Sequence, residues 1–234
     1  MSSNSGLLEF MASGDGPASV RRRKNGEANK LSSEDCAAHD WYRFVLSFPP
    51  HLVRDYLNRF NLDSGKAVLD PFSGTGTTLV ECKKLGIFGV GIEANPMAHF
   101  ASQVKIDWNF DASGIVEHAA FVAGDAEARL KATGIDDALP VGSLWSGCLN
   151  EPYRTLPPHS FKLLLKDSIS PRPLHKVLVL LDALEAHRDE RYYRQERLAL
   201  AKALVSSISN LHFGPEVGVS PAKQDAPVLS AWLN

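Results

Sequence analysis

The sequence predicts an α/β chain with a partial doubly wound parallel sheet and a helical insertion. Three observations carry this. Ala67-Val68-Leu69-Asp70 is a short strand that enters a Gly/Thr turn. Phe88-Gly89-Val90-Gly91-Ile92-Glu93 is a second apolar strand ending in an acid. Each is followed at once by a helical pattern, and strand–helix–strand–helix at such spacing implies right-handed βαβ crossovers.

The elements follow in order. Met1 to about Leu31 is rich in Ser, Gly and Asn and carries the basic run Arg21-Arg22-Arg23-Lys24, so residues 1–35 read as a disordered tail. Ser32-Ser33-Glu34-Asp35 is a polar cluster of the N-cap type. After the Phe48-Pro49-Pro50 break, apolar residues at 52, 53, 56, 57 and 60 mark one face of a helix. Thr77 to Leu85 reads as a helix closing at Gly86. Asn95-Pro96 opens another helix, Met97 to about Val104. A third strand is predicted at Ala120-Phe121-Val122-Ala123, running into Gly124-Asp125.

Residues 36–131 therefore form a predicted cofactor-binding α/β domain, and 132–173 an irregular insertion rich in Pro, Gly and Ser. Residues 174–234 form a helical segment. It breaks near His187-Arg188-Asp189 and carries an apolar stripe at Leu198, Ala201, Leu204, Val205 and Ile208. Asp225 to Asn234 reads as a capped helix start with an apolar face at 228, 229, 232 and 233.

Composition narrows the function. The 234 residues are 44% hydrophobic and 22% charged, enough for one compact core with tails or two small domains. Lys+Arg is 25 against Asp+Glu 27, a net charge of −2, so nucleic-acid binding would rest on a local patch. Cys36, Cys82 and Cys148 lie far apart, which is neither a disulfide framework nor metal-ligand spacing. With no long apolar span and no signal-peptide core, the expectation is a cytoplasmic chain without membrane or metal.

The segment Val68 to Thr78 carries the chemistry. It leaves a strand and opens a helix, where doubly wound sheets bind nucleotide-like ligands. Gly74 and Gly76 allow a sharp turn and close ligand approach. Thr77 and Thr78 can cap the helix, whose free N–H groups attract a negative group such as an amino-acid carboxylate. A P-loop requires Lys after its second Gly, and a dinucleotide fingerprint requires a third Gly where Leu79 stands, so neither fits. Glu93 ends the next strand, where an acid can accept hydrogen bonds from both hydroxyls of a ribose. Asp125 would end the third strand and accept from an adenine amino group.

Asp70-Pro71-Phe72-Ser73-Gly74-Thr75-Gly76-Thr77-Thr78 resembles the S-adenosylmethionine-binding motif of the amino-group DNA methyltransferases, which methylate N6 of adenine or N4 of cytosine. Gly91-Ile92-Glu93-Ala94-Asn95-Pro96 is similar to the family's following segment, and Ser47-Phe48-Pro49-Pro50-His51-Leu52-Val53 to its upstream element. The three stand in the family's order over about residues 41–108. The resemblance implies a Rossmann-like methyltransferase sheet. It also implies a cofactor flanked by Asp70 and Phe72, lined by Ser73, Gly74, Thr75 and Gly76, and held by Thr77 and Glu93.

The family's catalytic tetrad, Asp, Asn or Ser followed by Pro-Pro and an aromatic, holds the flipped-out target base. Ser47-Phe48-Pro49-Pro50-His51 precedes the cofactor motif and lacks it, and Leu156-Pro157-Pro158-His159 starts with an apolar residue. Asn150-Glu151-Pro152-Tyr153 keeps only its first and last members, leaving Asn150 and Tyr153 as weak catalytic candidates. The expectation is an N-terminal portion of a longer methyltransferase that binds cofactor weakly and does not methylate DNA by itself. DNA would be met through the complete enzyme, or through a second polypeptide carrying the tetrad. The alternatives are an RNA base methyltransferase and a non-catalytic cofactor- or DNA-binding partner subunit.

Overall fold

The computed structural model describes residues 31–43, 47–138, 152–213 and 216–234. A 3₁₀ turn, Ser33–Asp35, leads into the short helix α1 (Cys36–His39), and Pro50 starts α2 (Pro50–Arg59). Proline suits a helix start because its missing N–H would have no intrahelical partner there. Strand β1 (Ala67–Asp70), helix α3 (Thr77–Lys84), strand β2 (Phe88–Gly91) and helix α4 (Pro96–Lys105) follow, in the predicted order. Asn95 caps α4 by accepting hydrogen bonds from the Met97 and Ala98 amides.

Strands β1 and β2 pair in parallel, with Ala67 opposite Phe88, Leu69 opposite Val90 and Asp70 opposite Gly91. Pairing continues past the strand ends through Ile92 N–H to Asp70 O and Ser73 N–H to Ile92 O. One face of the pair lies against α3, where Leu79 and Cys82 press on Gly89 and Gly91. An added Cβ at Gly91 would come within 2.7 Å of Leu79, so the small residues of β2 set the helix-to-sheet distance. Val53, Leu57, Cys82 and Ile87 form the small core joining α2, α3 and the sheet.

The third predicted strand is not formed. Ala120–Ala123 lies inside α5 (Ala112–Ala132), a 21-residue helix capped by Asp111, which accepts from the Ser113 and Gly114 amides. Val122, Ala126 and Leu130 recur every four residues and are fully buried, whereas Phe121 is exposed, so the period is helical and not that of a strand. Among the described residues the parallel sheet has two strands, and its doubly wound extension is absent.

The short helix α6 (Pro158–Phe161) leads to α7 (Pro171–Ala186), which begins three residues before the predicted Leu174. The break at His187–Asp189 is present, and α8 (Tyr193–Ala203) runs into a π-type turn, Leu204–Ile208. An antiparallel pair, β3 (Leu211–Phe213) and β4 (Val217–Val219), and helix α9 (Val228–Leu233) complete the chain. Helices α5, α7, α8 and α9 share one core that includes Val122, Leu130, Leu180, Leu184, Leu200 and Trp232. Of the predicted apolar stripe, Ile208 joins this core with Leu204 against it, while Leu198 packs with Val104 and Tyr42, with Ala201 and Val205 alongside.

Two buried charge groups hold these parts together. In the C-terminal half, Asp137 accepts from the Val228 and Leu229 amides, capping α9 from a distance, while Lys176 pairs with Asp137 and Asp225. In the N-terminal half, fully buried Glu81 of α3 accepts from His39 at 2.7 Å, Arg54 at 2.8 Å and Lys84 at 3.0 Å. Arg54 also grips Asp35 with two nitrogens, tying α1 and α2 to the helix that follows the Gly turn. Burial pushes the Glu81 carboxyl up, but the bonds from His39, Arg54 and Lys84 outweigh it and hold the group at about 2.

That depressed value fixes a pH dependence. The unfolded carboxyl takes its proton first, so stability from ionised Glu81 is full above about pH 4.5 and is lost as pH falls toward about 2. Glu81→Gln is expected to cost about 3 kcal/mol at pH 7, the scale for breaking a buried ion pair. It should also flatten the acid limb of the stability curve. Urea unfolding at pH 7, 4.5 and 3 measures both, and an unchanged slope in the variant would refute the assignment.

A second expectation concerns the turn. Gly76 has φ +84° and its added Cβ would sit 2.5 Å from Ser102 Oγ of α4, whereas Gly74, at φ +53°, faces open space. Gly74→Ala should cost about 1 kcal/mol from backbone strain alone. Gly76→Ala adds a steric clash and should cost at least twice as much by the same unfolding assay.

Candidate functional site

The turn between β1 and α3 is held from three sides. Asp70 Oδ1 accepts from the Phe72 amide at 3.1 Å, turning the chain out of the strand. The Gly76 amide donates to Ser73 O at 2.8 Å and closes the turn, and Gly76 then serves as the N-cap of α3 in the left-handed region. No side chain caps α3, so its first-turn N–H groups are not engaged by a capping residue. Ser73, Thr75 and Thr77 are buried, and Thr75 Oγ1 is a buried hydroxyl with no hydrogen-bond partner.

Glu93 closes the opposite side. Its Oε2 accepts from the Gly74 amide at 2.8 Å and its Oε1 from the Asn95 amide at 2.7 Å. An ionised carboxylate has about four acceptor positions. Two are used by these amides, so each oxygen keeps one acceptor position. Phe72, 86% exposed, and Ile92 stand as apolar groups beside the polar turn.

The structure brings Asp70, Phe72, Ser73, Gly74, Thr75, Gly76, Thr77 and Glu93 to one end of the parallel strand pair. Asp125 does not end a strand. It lies in mid-helix on α5, paired with Arg129 at 2.7 Å and His187 at 3.0 Å, and the Arg129 hydrogen bond holds its carboxyl below the ordinary range. The basis for placing it against an adenine amino group is therefore removed. Tyr153 packs against the C-terminal core, with its ring 5.7 Å from that of His175 and its hydroxyl facing Arg172. Asn150 lies outside the described residues.

Two supporting residues escape the sequence reading. Ser102 abuts Gly76 from α4, and Glu81 anchors α3 from below through His39 and Arg54. Neither is marked in the sequence, because each acts through a contact distant along the chain. A cavity of about 530 Å³ lies where Trp41 and Phe110 meet Leu198 and Trp232 of the C-terminal helices, and none of the predicted site residues line it. No group of three His, Cys, Asp or Glu among the described residues could hold a metal, and no described helix is long and apolar enough to cross a membrane.

The residues present fit an S-adenosylmethionine-like ligand. A Cβ-free opening at Gly74, uncapped helix amides, an orphaned Thr75 hydroxyl and a strand-end carboxylate with free acceptor positions all meet at this turn.

A family profile described as DNA methylase, of the N6/N4 type, matches residues 19–103. The Type II methyltransferase M.BsoBI of Geobacillus stearothermophilus is 38% identical over 85 residues, covering 36% of this chain and 16% of that protein. M.MjaII of Methanocaldococcus jannaschii is 39% identical over 69 residues, covering 29% of this chain and 13% of its own length. M.AvaI of Nostoc is 30% identical over 79 residues, covering 34% of this chain and 16% of the relative. The matched stretch thus spans about a sixth or less of these curated relatives. No solved structure matches significantly. Through residues 19–103, which carry the Gly turn and the acid that faces it, the chain is related to the N6/N4 DNA methylases.

Proposed function

We propose that this chain supplies the S-adenosylmethionine-binding part of an amino-group DNA methyltransferase acting on cytosine N4 or adenine N6. The observation that carries the reading is the Glu93 carboxylate at the end of β2, facing the open Gly74 turn and the uncapped start of α3. Bound there, the sulfonium cofactor supplies the methyl group.

The chain's own groups bind and orient. Glu93, already fixed by two backbone amides, uses its remaining acceptor positions for the ribose hydroxyls and needs no rearrangement to do so. The first amides of α3 and the peptide dipoles behind them attract the carboxylate of the amino-acid end. Phe72 and Ile92 offer apolar surface beside the cofactor. Asp70 acts on the turn through the Phe72 amide.

The attacking amino nitrogen must be polarised by groups that this sequence does not contain as an intact tetrad. The nearest approximations are Phe48-Pro49-Pro50-His51, Leu156-Pro157-Pro158-His159 and Asn150-Glu151-Pro152-Tyr153. We assign base binding and methyl transfer to polypeptide outside these 234 residues. The isolated chain is then a cofactor-binding module that does not turn over DNA.

Isothermal titration with S-adenosylmethionine tests the site. Glu93→Ala should weaken binding at least about ten-fold, since it removes charge-assisted hydrogen bonds worth ~1.5–3 kcal/mol. Asp125→Ala should leave binding unchanged. Equal affinity of wild type and Glu93→Ala would overturn the reading, as would robust methylation of duplex DNA by the purified chain.

A further inference from the structure

The break between α7 and α8 gathers ionisable groups that take no part in the Gly turn. His118 of α5 reaches across to it with both ring nitrogens. Its Nδ1 lies 2.6 Å from Oε1 of Glu196 in α8, and its Nε2 lies 2.9 Å from the backbone carbonyl of His187, the C-cap of α7.

A carbonyl oxygen only accepts, so the contact with His187 places a hydrogen on Nε2. A neutral ring would then turn a bare Nδ1 lone pair toward a carboxylate oxygen, which also only accepts. Two acceptors 2.6 Å apart repel unless a proton stands between them. On Nδ1 that proton makes an imidazolium and a carboxylate; on Oε1 it makes a neutral ring and a carboxylic acid. Either way the pair carries one proton more than a free neutral histidine and a free carboxylate do.

The surroundings hold that proton in place. Glu196 is 2% exposed, and its Oε2 is buried without a hydrogen-bond partner, so the carboxyl depends on its contact with His118. The Tyr192 ring packs beside His118 at 5.7 Å. Asp189, itself paired with Arg191, adds a negative field, while Asp125 on α5 is taken up by Arg129 and His187. Burial pushes the imidazolium down, but the bond to Glu196 and the charges around it raise His118 above the ordinary 6.5. Burial also raises the Glu196 carboxyl.

We infer that the His118–Glu196 pair takes up a proton when the chain folds at neutral pH, and that this proton fastens α8 to α5 and to the end of α7. Trp232 of α9 donates to the Glu196 carbonyl at 2.9 Å, so a fourth helix is seated on the same turn. The fastening is sensitive to pH. Its stabilisation is full below about pH 6.5 and is lost as pH rises through the raised folded value. That sign is opposite to the Glu81 contribution, which is lost toward acid. The fastening does not depend on the cofactor reading.

An NMR titration of the His118 ring in the full chain tests it. Wild type should titrate above 6.5. Glu196→Gln should lower that value, because an amide can donate to Nδ1 and satisfy a neutral ring. Denaturant unfolding reads the same proton. Between pH 6.5 and the folded value, the wild-type unfolding constant should rise by up to about ten-fold per pH unit relative to Glu196→Gln, the slope of one linked proton. Other titrating groups are common to both proteins and cancel in the comparison. A wild-type ring that titrates at 6.5 or below overturns the inference, and this measurement decides by itself should the variant fail to fold. A titration that Glu196→Gln leaves unmoved, or parallel stability curves for the two proteins, overturns it as well.

Discussion

The hydrogen bond from the Gly74 amide to Glu93 is the contact on which the site's geometry depends. It joins the turn after β1 to a residue two positions past β2, across a sheet that has two strands among the described residues. A turn containing two positive-φ glycines is conformationally loose, because glycine loses more backbone freedom on ordering than any other residue. Glu93 offsets that looseness from one side, and Ser102, pressed against Gly76, does so from the other. Both restraints bear on backbone positions of the turn itself. The turn is thus shaped before any ligand arrives, and the cost of ordering it on binding is reduced.

Support for the turn extends inward through α3. Glu81 lies one helical turn after Thr77, buried, and is matched by His39, Arg54 and Lys84 from three different parts of the chain. A buried carboxylate requires such partners, since an unpaired one would neutralise or unfold its surroundings. The requirement recruits α1 and α2 to the back of α3, which fixes the helix whose amides face the site. The apolar contacts of Val53 and Leu57 with Cys82 act between the same helices but are non-directional, so the charge group specifies the register.

The part of the fold nearest the site was legible because its signals are local. Asp70 to Thr78 contains its own turn residues, Asn95-Pro96 its own cap, and β2 its own alternation of large side chains with glycine. Residues 120–123 misled because Ala-Phe-Val-Ala is short and apolar, and such a run has no decisive period. The deciding signal lay on either side, in the Asp111 cap and in the four-residue recurrence of Val122, Ala126 and Leu130. Asp125 followed its strand into error. Glu81, Asp137 and Lys176 were not legible at all: each is a charged residue that a sequence places by default in water. Their burial follows from partners tens of residues away. The pair β3–β4 belongs to the same class, held as it is by Asn210, which bonds to Asp167, Ser170 and Lys223.

Charge separates holding a cofactor from gripping a nucleic acid. Phosphate affinity comes from cations that release counterions when they meet the backbone. In this chain Arg54, Lys84, Arg129, Arg154, Arg172, Lys176, Arg188, Arg191 and Lys202 already lie against carboxylates of the same molecule. The buried ones, Arg172 and Lys176, would strand a carboxylate by leaving it for a phosphate. The chain as a whole carries a net charge of −2. A cofactor site needs no such field. It needs a few amides and one carboxylate held at fixed positions, and residues 70–95 are built to hold them.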